Sequence, residues 1–236
     1  MNRTTHEIEN GLWPAFKKAL RMRVPTYDLQ ASEHAADRVL QQSGKAQVEW
    51  QKRVFDIGLS LILMALLSSL FLVVALLIKA TSRGAVLHWS RRVGKNNKLF
   101  WMPKFRSMQI ETPQVATHLL ADPSAYLTPI GSFMRRTSLD ELPQLFSILV
   151  GDLSFVGPRP ALFNQDDLVA LRAERGIDKL LPGLTGWAQV NGRDELPICS
   201  KVNLDLEYLQ RHSFKFDLKI LFMTLVKVLR SEGVSH

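Results

Sequence analysis

Residues 57–78 read IGLSLILMALLSSLFLVVALLI, 22 positions without a charge. A helix of that length rises ~33 Å against a bilayer hydrocarbon core of ~30 Å, so it is just long enough to cross a membrane. The flanks point elsewhere. Lys45, Lys52 and Arg53 precede the run, while Lys79, Arg83, Arg91, Arg92, Lys95 and Lys98 follow it, so both ends carry the basic bias of a cytoplasmic flank. One helix satisfies both ends only by entering and leaving through the same face, with a break near its middle where freed backbone groups find partners. Ser68 and Ser69 stand at that midpoint; serine hydroxyls assist a bend, though less forcibly than proline. The expectation is a re-entrant membrane helix over 51–82, with a simple single span as the alternative.

On its N-terminal side, residues 1–50 are polar, broken by Pro14 and Pro25, with a helix expected at about 30–42. This stretch carries no chemical motif and reads as a cytosolic extension. The apolar run lies too deep for a secretory signal, and no small-residue cleavage site follows it. A hydrophobic content of 46% supports a packed core and excludes wholesale disorder. The 30 basic residues against 22 acidic ones give +8, which favours an anionic partner such as phosphate, a phospholipid surface or nucleic acid. Cys199 is the sole cysteine, so an intrachain disulfide is excluded, in keeping with a reducing compartment. With no histidine near it in sequence, it does not read as a catalytic thiol.

On the C-terminal side, residues 83–236 read as one helix-rich α+β domain. Apolar and aromatic content marks strands at 85–90 and 98–102 around a turn at 94–97, a short hairpin. Helices are expected at 141–150, 166–174, 205–212 and 214–230. Residues 181–193, punctuated by Pro182, Gly183, Gly186 and Gly192, read as a loop region. In the last helix Lys215, Lys219, Lys227 and Arg230 share about a third of the circumference opposite an apolar face. That is the pattern of an amphipathic helix in the headgroup plane; a core helix with a solvated lysine face is the bland alternative.

The chemistry concentrates in SLDELPQLFSILVGDLSFVGPRP, residues 138–160, where Asp140 and Glu141 lie close to Arg135, Arg136 and Arg159. A carboxylate attacks phosphorus only where cations hold the phosphoryl oxygens and spread the charge that builds in the transition state. Arginine supplies that charge as a planar fork. Ser138 to Glu141 also fits a capping box, although Pro143 disturbs its register and favours a helix beginning nearer Pro143. His88, His118 and His212 make no metal-ligand spacing, so no zinc site is expected. The sequence holds no GxGxxG, Walker A or Asp-x-Asp pattern, which argues against a Rossmann-type sugar transferase. The arginines gather around carboxylates instead of forming an exposed stripe mixed with aromatics, which argues against nucleic acid as partner.

Four blocks in one order, KFRSM at 104–108, RRTSLDELPQL at 135–145, GDLSFVGPRP at 151–160 and PGLTGWAQVNGR at 182–193, resemble the bacterial sugar transferase family, in its small monotopic form. The likeness runs from about Trp50 to the C-terminus. It implies a cytoplasmic catalytic domain on a re-entrant helix at the bacterial inner membrane, with interfacial helices and phospholipid contact. It also implies transfer of a sugar 1-phosphate from a UDP-sugar to undecaprenyl phosphate, with release of UMP and a need for Mg2+. By the same resemblance Asp140 is the nucleophile, forming a phosphosugar-aspartyl intermediate, and Asp140 with Glu141 is the nearest oxygen ligand set for the metal. Arg159, framed by Pro158 and Pro160, and Arg135 are expected as phosphate clamps, with Arg136 a solvated neighbour. Of Lys104 and Arg106, one is expected on the phosphate and the other against a structural carboxylate. Gln189, Asn191 and Arg193 are expected near nucleotide or sugar, Trp187 either stacks there or belongs to the core, and Asp205 is carried over as an active-site carboxylate.

Two positions depart from the family pattern: Ser69 stands where a proline is usual at the kink, and Ala85 where a proline usually follows the glycine after the helix. By the same resemblance, the run NGRDELPI and the short form of the chain imply an N-acetylated amino sugar as donor, with UDP-glucose or UDP-galactose as the alternative. A catalytically inert membrane-surface scaffold is the competing class. A homodimer is left open.

Overall fold

The computed structural model describes residues 45–113, 122–192 and 196–230. The helix expected at 30–42 and nearly all of the 1–50 extension lie outside the described residues.

The apolar run forms two helices, α1 Lys45–Leu66 and α2 Ser68–Thr81, bent by 63° at Leu67. No single described helix is long and apolar enough to cross a membrane; the bent pair meets the test together. The bend keeps its backbone bonds, Leu67 N–H to Leu63 O and Phe71 N–H to Leu67 O, both 2.9 Å. The Ser68 hydroxyl donates to Ala65 O at 2.9 Å. A serine bonding back into the preceding turn bends a helix, so the kink forms here without proline.

Both ends of the bent pair are fastened to the same domain. Near the start, Lys52 donates to Val156 O (2.8 Å) and pairs with Asp217, while Arg53 donates to the carbonyls of Ile148 and Leu149. Asp56, one turn on, accepts from the Phe155 amide at 3.3 Å. After α2, Arg106 takes the carbonyls of Ser82 and Arg83. Lys52 and Arg53, which read in the sequence as topology signals, are thus also struts.

The hairpin forms as expected, with longer strands: β1 Leu87–Val93 and β2 Leu99–Phe105 pair antiparallel, Leu87 opposite Phe105 and Val93 opposite Leu99. Asn96 and Asn97 adopt the left-handed conformation in the turn, which asparagine tolerates better than most residues. Strand alternation sends Ser90 and Met102 into the main core and turns Phe105 to α2, where its ring meets Phe71 edge-on at 5.6 Å. Trp89 and Trp101, farther along the same face as Phe105, stay exposed.

Two expectations change in the catalytic region. The helix expected at 141–150 is divided into a 3-10 turn at Leu139–Glu141 and α4 Gln144–Val150, following the short α3 Gly131–Arg136. Pro143 has no N–H to continue the turn and becomes the N-cap of α4. The loop at 181–193 holds a strand, β4 Gly183–Thr185, and a helix, α6 Trp187–Asn191. β4 exists because it pairs in parallel with β3 Ser154–Val156, distant in sequence, a contact no local pattern reveals. The crossover contains α5 Asp166–Glu174, which coincides with the expected helix. α7 Ile198–Arg211 begins earlier than expected, and α8 Phe214–Arg230 matches.

The core joins Met102, Leu145, Ile148, Phe155, Val156, Tyr208, Phe216 and Ile220, each large apolar side chain worth ~1.5–3 kcal/mol when buried. On α8, Phe216 and Ile220 face that core, whereas Leu218, Phe222 and Leu225 are exposed alongside exposed Lys215 and Lys219. The helix is therefore apolar on two sides.

Candidate active site

Asp140 and Glu141 sit on the 3-10 turn Leu139–Glu141, which the chain enters through Ser138 at φ 56°. That left-handed residue reverses the direction left by α3 and seats the turn against β2. The capping box does not form. Ser138 makes no side-chain cap, and the Glu141 carboxylate is taken by cations: its Oε1 accepts from Lys104 Nζ at 2.9 Å and from Arg159 Nη2 at 3.2 Å. Lys104 comes from β2 and Arg159 from the segment after β3, so Glu141 joins three parts of the chain at one oxygen.

Neighbouring carboxylates therefore behave differently. Burial opposes the ionisation of Glu141, but the charges of Lys104 and Arg159 and their hydrogen bonds hold it well below the usual carboxylate range. Asp140 is only 7% exposed, and burial raises its pKa to about 6, with the negative charge of Glu141 adding to the effect and Lys104, Arg135 and Arg159 opposing it. Among the described residues no hydrogen bond or ion pair holds the Asp140 carboxylate. It is a buried carboxylate ringed by cations yet committed to none, as a nucleophile toward phosphorus requires.

Arg159 is fixed from behind. Arg172 of α5 donates through Nη1 to the Arg159 carbonyl at 2.8 Å, and through Nε and Nη2 to Asp205 Oδ2 at 2.9 and 2.6 Å. Asp205, 1% exposed, gives its Oδ2 to Arg172, so the structure places it behind Arg159 and not beside the dyad. Arg172 is a residue the sequence reading passed over, since a lone arginine in DDLVALRAE carries no local signal.

The other expected residues divide. Lys104 and Arg159 meet at Glu141. Arg135, in the last turn of α3, contacts Met108 Sδ at 3.7 Å and is close enough to Asp140 to favour its charge; Arg136 is exposed, as expected. Arg106 is a correction: buried, it uses its guanidinium to close the C-terminal end of α2 through Ser82 and Arg83, so its role is structural and its partners are carbonyls and a hydroxyl, not a carboxylate. Asn191 is exposed and its amide nitrogen donates back to Trp187 O at 2.7 Å. Trp187 belongs to the packing, donating to Glu207 at 2.8 Å with its ring against Phe216. Gln189 has both polar atoms of its amide buried without a partner. Its Oε1 lies 2.8 Å from where a side chain at Gly186 would start, and Gly157 O lies 2.1 Å from that same point. Gln189 therefore sits behind the segment that carries Arg159, and Gly186 must be glycine for the two backbones to meet. Arg193 lies outside the described residues. A cavity of about 340 Å³ adjoins Ser82, Arg106, Gln109 and Thr128, away from this dyad.

Among the described residues no group of three or more His, Cys, Asp or Glu could hold a metal. The donors present fit magnesium in its usual form, one or two carboxylates with the rest of the shell from water and substrate phosphates. Asp140 supplies uncommitted oxygens, whereas Glu141 Oε1 is already occupied by Lys104 and Arg159.

A family model described as bacterial sugar transferase matches residues 47–231. The chain belongs to the bacterial sugar transferase family. Among curated sugar transferases, the undecaprenyl-phosphate glucose phosphotransferase of Komagataeibacter xylinus is 40% identical over 203 residues, covering 78% of this chain and 37% of that protein. The uncharacterized sugar transferase EpsL of Bacillus subtilis (strain 168) is 39% identical over 185 residues, covering 78% of this chain and 90% of EpsL. The undecaprenyl-phosphate galactose phosphotransferase of Salmonella typhimurium is 36% identical over 215 residues, 83% of this chain and 44% of that protein. This bacterial sugar transferase thus spans less than half of two of these relatives and nearly all of the third.

Proposed function

We propose that this chain transfers a hexose 1-phosphate from a UDP-hexose to undecaprenyl phosphate, releasing UMP, at the cytoplasmic face of the bacterial inner membrane. The observation that carries the proposal is Asp140, buried, without an ion pair among the described residues, and ringed by Lys104, Arg135 and Arg159. An oxygen of Asp140 attacks the sugar-bearing phosphorus; the bond to the bridging oxygen breaks and UMP leaves with the electron pair. The aspartyl phosphosugar remains until an oxygen of the lipid phosphate attacks the same phosphorus and displaces Asp140 as a carboxylate. Two displacements let a soluble donor depart before a lipid acceptor docks, and give ping-pong kinetics. Arg159 and Lys104 hold the phosphoryl oxygens as charge builds, and Glu141 sets their position beforehand. Asp140, with Glu141 beside it, would hold the magnesium ion, whose charge offsets the repulsion between carboxylate and diphosphate.

The donor reading departs from the amino sugar expected from the sequence. Two relatives are named for glucose and galactose, which favours a neutral hexose. The membrane reading is supported by the fastening of both ends of the bent α1–α2 pair to one domain: a segment tied at both ends to the same body enters and leaves through one face. Exposed apolar residues on α8 beside Lys215 and Lys219 suit a helix in the headgroup plane. An inert scaffold would have no use for Asp140, whose burial works against the stability of its ionised form.

The test is UMP release from UDP-glucose, UDP-galactose and their N-acetylated amino counterparts by detergent-purified protein with magnesium and undecaprenyl phosphate. Lipid-dependent UMP from a neutral hexose donor is the expected result. UMP only from an amino sugar would overturn the donor assignment, and none from any donor would overturn the reaction.

A further inference from the structure

We infer that Arg172 is a positioning residue for Arg159, held to that task by Asp205; this rests on the phosphosugar-transfer reading above. The segment Pro158–Arg159–Pro160 is held at three successive carbonyls by three different elements. Pro158 O accepts from the Gly183 amide of β4 at 3.0 Å, Arg159 O from Arg172 Nη1 of α5 at 2.8 Å, and Pro160 O from Arg92 Nη1 of β1 at 3.2 Å. The two prolines fix their own φ and offer no N–H, so apart from the Arg159 amide the carbonyls are the groups left for orienting the peptide planes around Arg159. The middle carbonyl, on Arg159 itself, is the one given to a side chain whose own direction is locked.

That lock is Asp205. It takes both Nε and Nη2 of Arg172 on one oxygen, at 2.9 and 2.6 Å, which leaves Nη1 facing the Arg159 carbonyl. Asp205 is 1% exposed, and the Arg172 side chain is largely buried as well. A buried pair of this kind adds little net stability over apolar residues of the same volume, and its geometric effect here is definite. It holds the Arg159 backbone still while the Arg159 side chain, 37% exposed, remains able to pass from Glu141 to an incoming phosphoryl group. Lysine at 172 would keep a positive charge beside Asp205 but could not span both Asp205 and the carbonyl, since it has one nitrogen where arginine has a fork.

A double-mutant cycle tests this, with Arg172→Lys and Arg159→Gln made singly and together and kcat and KM measured for the UDP-hexose donor. Arg172→Lys alone lowers kcat/KM by about 10-fold to 100-fold, the usual effect of losing the support behind a functional group, with kcat carrying most of the loss. In the Arg159→Gln background the same change lowers it by less than about threefold, because its effect runs through Arg159. Asp205→Asn reproduces the pattern. Losses that multiply independently, or an Arg172→Lys variant with a lowered melting temperature and unchanged kcat/KM, would overturn the inference while leaving the reaction intact. If the unmodified protein released no UMP, the reaction reading would fail. The cycle would then be read in UDP affinity by calorimetry, where non-additivity sustains the positioning role and additivity ends it.

Discussion

Asp140 and Glu141 share a turn and differ in what surrounds their oxygens, and that difference sets their pH behaviour. A folded-state pKa of about 6 for Asp140, above its ordinary 3.8, means that the native state binds this proton more tightly than the unfolded chain. Its contribution to stability is in place below about pH 4 and is lost as pH rises through about 6. Asp140→Asn should therefore raise the apparent melting temperature at pH 7.5, by a free energy on the order of 2 kcal/mol, while abolishing UMP release. A lowered melting temperature would contradict the burial account. The same ionisation gives a second expectation. The UMP burst in the absence of lipid acceptor should rise with pH across the region near 6 as Asp140 loses its proton; a flat profile from pH 5 to 8 would remove it as the titrating nucleophile. Glu141 acts in the opposite sense, its stabilising effect being present above its ordinary pKa and lost as pH falls. Glu141→Gln keeps an amide oxygen as acceptor but removes the negative charge that Lys104 and Arg159 share, and should lower stability by about 2 kcal/mol, read in the same melting experiment.

At the scale of elements, what could be read from the sequence depended on whether a segment's structure is decided locally. α5 and α8 were legible to the residue because their periodicity and helix-forming content need no distant partner. β4 was not, since three residues become a strand only through pairing with β3, and the break of the expected 141–150 helix at Pro143 was legible only as a conflict between two registers. In the candidate site the dyad and Arg159 announced themselves by residue type and the two framing prolines. Arg106, Asn191 and Asp205 entered through motif position and resemblance, and their contacts lie with the end of α2, with α6 and with Arg172, because charge and position in a motif do not disclose which partner a side chain meets. The placement of Trp187 in the packing, one of its two expected roles, gives its own expectation. Trp187→Phe loses the hydrogen bond to Glu207 and should lower stability by about 1 kcal/mol with no change in KM for the UDP-hexose. A KM raised tenfold would return Trp187 to the substrate site.

Across the whole molecule, Lys52, Arg53 and Asp56 at one end of the bent pair and Arg106 at the other bind it to a single catalytic body. If the pair dips into the bilayer and returns, single cysteines at Trp50 and Ala80, placed in a Cys199→Ser chain, should both react with a membrane-impermeant maleimide in inverted inner-membrane vesicles and both be protected in intact spheroplasts. Labelling of one end from each side would mean a span and would sever the link between membrane geometry and the dyad. That geometry matters because it fixes where the lipid phosphate must arrive, beside a carboxylate already carrying the sugar. The most direct test of the account is the mass of the intact protein after incubation with UDP-hexose and magnesium, with no lipid acceptor present. The account predicts a gain of one hexose phosphate, located on the peptide containing Asp140, absent from Asp140→Asn and discharged on adding undecaprenyl phosphate. UMP release at full rate without any such adduct, or an adduct that survives Asp140→Asn, would contradict it.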